Sequence, residues 1–250
     1  MSADAIKAIR SYWDRKAHVY AEVRQRKDWF RRVDQRVLDL IASKSFLVLD
    51  VGTGPASFAI KLAKTGNVPL IVGIDISKRS LRIARTNVDK GKASDKISLI
   101  VASADYLPFR EASFDAVTSI FTIHHLPPLR MERSFGEFYR ALKPKGKFAL
   151  AEDWSSEPRT YFQNIIYELR RILMCNEVTE YHTQYLEYVR MLERNGLKIF
   201  DVEFHPNQVD LSRFASLSTV RARKLLKKIE KFDEREQVID TTFIGAIKPA

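Results

Sequence analysis

Apolar residues recur along the chain with two different periods, and the switches between them lay out the elements. From residue 6 to 41 the apolar and aromatic positions are Ile6, Ile9, Trp13, Ala17, Tyr20, Val23, Phe30, Val33, Val37 and Leu40. Steps of three and four belong to one helix face, so this segment is expected to be helical, broken once near Arg24–Asp28. Short apolar runs follow at 46–51, 69–74, 97–102, 114–120 and 147–152. Helical spacing between them predicts helices over 55–65, 77–90 and 129–142, with an irregular connection from 103 to 113. Ser77 suits the cap of its helix, and Pro55 suits a first helical turn. The "KPKG" at 143–146 is expected to end one helix and turn into the next strand. Beyond residue 153 the pattern predicts helices at 158–175 and 181–195, a stop at "NGLK", a sixth strand at 198–205 and a seventh at 241–248. Apolar strands separated by helices predict a parallel sheet covered on both faces. The expected fold is α/β: a doubly wound, seven-stranded, mostly parallel sheet with a helical cap before it and a helical insertion between strands six and seven.

Length and composition are those of a soluble globular protein: 250 residues, 45% hydrophobic, 29% charged. No apolar run approaches the roughly 20 residues that cross a bilayer. The opening "MSADAIKAIRSYWDRK" has no apolar core, so no signal peptide is expected, and the cytoplasm is the expected location. A single cysteine, Cys175, rules out an internal disulfide or a cysteine-based zinc site and reads as a small packed residue. The net charge of +11 is unevenly placed. Residues 1–45 hold 11 Lys/Arg against 6 Asp/Glu, residues 212–232 hold 7 against 1, and the rest of the chain is balanced. These two segments are either solvated helix faces or the approach to an anionic partner.

The candidate chemistry sits at strand ends. "VLDVGTGPASFAI" (48–60) is a strand, two glycines and a helix start. A dinucleotide fingerprint would carry a third glycine where Ser57 stands, so a pyrophosphate on this loop is not favoured. Asp50 stands just before Gly52 and Gly54. It would pair with a cationic ligand group, or else accept backbone N–H bonds and shape the turn. Asp75 ends the second strand about 20 residues past the loop, where an acid suits the two hydroxyls of a ribose or caps the next helix. Asp105 follows the third strand. Three carboxylates at successive strand ends point to a nucleoside that carries a cationic group and no phosphate.

Together "VLDVGTGPASFAI", "VGIDIS", "ASADYLPF", "FDAVTSIFTIHHLPP" and "RALKPKGKFALAED" resemble a class I S-adenosylmethionine-dependent methyltransferase, nearest to the quinone-biosynthesis-like group. The resemblance covers roughly residues 12–153, more loosely 196–248. It implies one methyltransferase domain: a cap (1–43), a cofactor-binding half (44–153) and an acceptor-side half (154–250) with a basic insertion (206–240). It implies that Asp50, Gly52 and Gly54 contact the methionine part of S-adenosylmethionine. Asp75 would hold the ribose, Ile76 would lie against the adenine, and Ala104 and Asp105 would meet the adenine edge. Phe121 to His125 would border the reactive methyl, and Tyr12 and Tyr20 of the cap would face the pocket. Ala56 replaces a glycine usual in the family, adding a methyl that would narrow the pocket.

Methyl transfer from a sulfonium needs alignment and a dry site, and a base only where the acceptor must lose a proton. His124 and His125 are the candidate bases. Neighbours at a strand end point to opposite sides, so only one is expected to face the acceptor. Glu152 and Asp153 are further candidates for acceptor contact, whereas Trp154 and the aromatics of 161–185 read as packing. The basic segments suggest an entrance rim that attracts a small-molecule acceptor, anionic or lipid-like. An RNA methyltransferase gripping phosphates is the alternative. Against it, the fourth strand lacks the Asn/Asp-Pro-Pro-aromatic motif of amino-group methyltransferases, and paired catalytic cysteines are missing. A catalytically silent cofactor binder is a third reading, and a nicotinamide oxidoreductase fits the loop poorly. The motifs are specific for fold and cofactor and carry nothing about the acceptor atom or the oligomeric state.

Overall fold

A computed structural model describes residues 3–26, 28–41, 47–153, 155–174, 181, 183–209, 211–214, 217, 219–233 and 238–250. Phe46, Trp154, Cys175 and the side chain of Arg213 lie outside what is described. The strands are β1 (Leu47–Val51), β2 (Leu70–Asp75), β3 (Ile97–Val101), β4 (Phe114–Ile120), β5 (Leu142–Asp153), β6 (Lys198–Gln208) and β7 (Val238–Ile247). They form one sheet in the order β3-β2-β1-β4-β5-β7-β6. The first five pair in parallel. β7 is antiparallel to both β5 and β6. β6 therefore runs with the first five strands, and the connection from β6 to β7 leaves and re-enters at their carboxyl edge. Strand order reverses between β1 and β4, the switch point at which open α/β sheets bind ligands.

The sheet is covered by α1 (Ala3–Arg26), α2 (Asp28–Ile41), α3 (Ser57–Lys64), α4 (Lys78–Lys90), α5 (Pro128–Ala141), α6 (Tyr161–Met174), α7 (Tyr185–Arg194) and α8 (Val220–Ile229). Side chains alternate between the two faces of each strand. Leu49, Val117, Phe148, Leu150 and Ile244 join Phe135 and Phe138 of α5 and Met191 and Leu192 of α7 in one core. Their neighbours Val48, Ala116, Ala149, Ala151 and Phe243 join α2, α3 and α4 in a second. A third, smaller core unites Phe162, Ile165, Ile166 and Leu169 of α6 with Ala222 and Ile229 of α8, plus Phe214, Leu217 and Ile239.

Boundaries shift for local reasons. β5 begins at Leu142, so the "KPKG" stretch is an irregularity within the strand, with Lys145 at φ +63° and the register against β4 shifted. β6 runs on through Pro206, which an edge strand tolerates because one side needs no N–H. α3 starts at Ser57, so Pro55 lies before the helix instead of in its first turn. The break near Arg24–Asp28 is present, and Arg24 Nη2 donates to Asp34 Oδ1 across it at 2.8 Å in a buried ion pair.

Candidate active site

At the carboxyl edge the turn after β1 closes on itself. Gly52 and Gly54 have φ of +69° and +53°, a region that glycine enters without strain. A Cβ on Gly52 would lie 2.1 Å from Thr122 Oγ1, so the loop after β4 passes directly over this glycine. Asp75 at the end of β2 ties the turn to the next helix. Its Oδ2 accepts from Gly54 N at 2.9 Å and its Oδ1 from Ser77 N at 2.8 Å. Ser77 then caps α4, its Oγ accepting from Ser80 N at 3.0 Å. Ser77, and not Asp75, is therefore the cap of α4, and Asp75 shapes the loop and lines the cavity beside it.

The cavity holds about 680 Å³ of empty space, its open mouth included. Gly52, Gly54, Asp75, Ile76, Ala104, Phe121, His125 and Tyr20 line it, eight of the eleven residues expected at the site. Asp50, Asp105 and His124 do not. Asp50 is buried behind the loop, where Thr53 Oγ1 donates to it at 2.7 Å and Thr118 Oγ1 at 3.0 Å. It shapes the turn through threonine hydroxyls, not the backbone N–H bonds expected of that alternative. Asp105 is buried and turned away by an ion pair with Arg130 on α5 and a bond from Ser103 Oγ. Ser103 takes its place in the wall. From the cap, Trp13 replaces the expected Tyr12: Ile9, Trp13 and Tyr20 lie four and seven residues apart on one helix face. Trp13 stands edge-on to both Tyr20 and His125, with ring centroids 5.4 and 4.8 Å apart.

Phe121 holds φ of +52°, an unusual conformation for a bulky residue, with its ring edge-on to the stacked pair Trp29 and Phe30 on α2. The two histidines follow it on a single 3₁₀ turn, Ile123–His125, not at a strand end. Their rings stay 4.0 Å apart, yet they diverge in role. His125 lines the cavity, whereas Nδ1 of His124 is hydrogen-bonded to Glu152. Glu152 is fully buried at the end of β5, its Oε1 also accepting from Thr122 N and Ile123 N. It positions the 3₁₀ turn, and these bonds take up the carboxylate that was a candidate for acceptor contact. Asp153 accepts from Thr241 Oγ1 at 2.6 Å.

Ala56 corrects a further expectation. It has φ of +61° at the start of α3, but its methyl is buried in the second core and stays out of the cavity wall. A glycine here would relieve the left-handed backbone by roughly 1 kcal/mol and lose about as much methyl burial. Ala56→Gly should therefore shift stability by less than about 1 kcal/mol in thermal melts and leave ligand affinity within twofold by calorimetry.

Burial pushes Asp50, Asp75 and Asp153 up to about 6, against the hydrogen bonds that lower them. Burial also pushes Tyr20 up to about 12. The sign for the three aspartates follows from linkage. They hold protons in the folded state that the unfolded chain releases near 4, so stability falls as pH rises from about 4 to about 6. A ligand hydroxyl donating to Asp75 favours its ionised form. Cofactor binding near pH 6 should then release protons, seen as a buffer-dependent calorimetric enthalpy, and affinity should rise from pH 5 to 7. A buffer-independent enthalpy would contradict this.

The wall fits S-adenosylmethionine. Among its described residues Asp75 is the one carboxylate, and no lysine or arginine is present to meet a phosphate. Behind Tyr20, one helical turn on, buried Arg24 keeps its Nη1 without a hydrogen-bond partner among the described residues, a group suited to a carboxylate. Trp13, Ser103 and Arg24 were not expected at the site from the sequence; only the spacing of Trp13 carried a signal.

Comparison with known proteins agrees. A family model described as a methyltransferase domain matches residues 48–146. A ubiquinone/menaquinone biosynthesis C-methyltransferase of Rickettsia felis is 35% identical over 121 residues, 47% of this chain and 48% of that one. The match thus spans about half the length of this curated relative. Phosphoethanolamine N-methyltransferase 2 of Haemonchus contortus, solved with S-adenosylmethionine, superposes with a TM-score of 0.68 at 18% identity over 97% of this chain and 60% of that one. The [4+2]-cyclase SpnF superposes with a TM-score of 0.71 at 17% identity over 97% and 95%. The fold is that of the class I S-adenosylmethionine-dependent methyltransferases, and residues 48–146 match a methyltransferase domain.

Proposed function

We propose that this chain is an S-adenosylmethionine-dependent methyltransferase whose acceptor is a small molecule, lipid-like or anionic, that loses a proton as it is methylated. The observation that carries the reading is the cavity at the glycine loop, with a carboxylate and no lysine or arginine in its described wall. Gly52 and Gly54 would admit the methionine part, with Arg24 reaching its carboxylate. Asp75 would accept the ribose hydroxyls, and Ile76 and Ala104 would flank the adenine. When bound, the cofactor supplies an already activated methyl group. Trp13, Tyr20 and Phe121 would keep water from it. His125, the histidine that lines the cavity, would take the acceptor's proton, while His124 is held by Glu152. His125 would border the methyl as part of the wall. A base of this kind suits an aromatic carbon or hydroxyl acceptor, and the relative named for quinone C-methylation points the same way.

The test has two arms. S-adenosylmethionine binding is measured by calorimetry, and label from its methyl group is then followed into small-molecule, lipid and RNA fractions. Label in the lipid-extractable or small-molecule fraction is expected. Absence of binding overturns the enzyme reading, and label confined to RNA overturns the acceptor class.

A further inference from the structure

We propose that α8 docks this protein onto an anionic lipid surface. Thr219 caps the helix, its Oγ1 accepting from Ala222 N at 3.1 Å. Ala222 and Ile229 are buried and Leu225 and Leu226 half-buried against α6, so the apolar face is already used. The outer face carries Arg221, Arg223, Lys224, Lys227 and Lys228, all exposed, with Lys231 following. α8 runs antiparallel to α6: Arg221 pairs with Glu168, while Lys228 Nζ lies 5.8 Å from the ring centre of Tyr161, a turn and more away. Arg223, Lys224, Lys227 and Lys231 have no acidic partner among the described residues. Apart from the Arg221–Glu168 pair, charge repulsion along this face goes uncompensated among the described residues.

Two exposed apolar side chains accompany the cations: Val220, 72% exposed at the start of α8, and Tyr161, 61% exposed at the start of α6. A convex helix with a row of cations and flanking apolar residues matches a plane of phosphates over acyl chains. A nucleic-acid strand would instead call for a groove with stacking platforms. α8 belongs to the β6–β7 connection and α6 follows β5, so both leave the sheet at the edge where the cavity lies. Docking here would bring that edge to the surface that holds a lipid-like acceptor; this last point alone rests on the methyltransferase reading.

The full chain is floated with vesicles of phosphatidylcholine containing about one third phosphatidylglycerol, and with pure phosphatidylcholine, in low and high salt. Binding to the anionic vesicles alone, lost in high salt, is expected. The triple variant Lys224→Glu, Lys227→Glu, Lys228→Glu should lower partitioning more than 100-fold while S-adenosylmethionine affinity stays within twofold. The proposal is overturned by equal binding to neutral vesicles, by no vesicle binding, by a triple variant that still floats, or by single-stranded RNA bound more tightly than vesicles at matched salt. Failure of the enzyme reading would show separately, as absent cofactor binding in the same samples.

Discussion

Asp75→Ala is expected to weaken S-adenosylmethionine binding by at least 100-fold. Two ribose hydroxyls donating to one carboxylate contribute about 1.5–3 kcal/mol each, and roughly 2.7 kcal/mol already corresponds to 100-fold. The same change frees Gly54 N and Ser77 N, so the loop loses its tie to α4 as well. Asp75→Asn separates the two effects: the amide keeps one acceptor oxygen and the size of the side chain, and should give an intermediate loss. Calorimetry beside thermal melts distinguishes them, since a loop defect lowers the melting temperature without ligand. Unchanged affinity in the alanine variant would refute the role given to Asp75.

His125→Ala should lower kcat by about 10²–10⁴, the range of a positioned general base, and should also raise the cofactor KM, because His125 is part of the wall against Trp13. His124→Ala should lower kcat by less than about tenfold, with cofactor affinity within about threefold of the parent, because His124 does not line the cavity. Glu152→Gln should also lower kcat, since the 3₁₀ turn that carries His125 loses part of its anchor. A His125→Ala enzyme with kcat within about threefold of the parent would remove the base from the mechanism.

Much of the frame was legible because it is written locally. Five apolar runs bounded by turn residues fix β1 to β5, and the glycine pair with an acid about 20 residues on marks the loop and Asp75. What escaped was set by partners far along the chain. Asp105 reads like Asp75 in sequence, yet Arg130, 25 residues later, claims it. Asp50 is held partly by Thr118, 68 residues away. Tyr12 and Trp13 are adjacent aromatics, and only the docking angle of α1 selects Trp13. One histidine of the pair lines the cavity, as expected, but for another reason: β4 ends at Ile120 and the chain winds into a 3₁₀ turn, which replaces strand alternation. Ala56 was judged by family pattern, although the constraint there is backbone conformation and not room for the ligand.

The separate core under α6 and α8 divides the molecule's thermodynamic labour. Amide hydrogens in those helices are expected to exchange through openings that leave β1 to β4 closed, because their apolar contacts are largely with each other. Substitutions can therefore accumulate in this small core while β1 to β4 keep their stability.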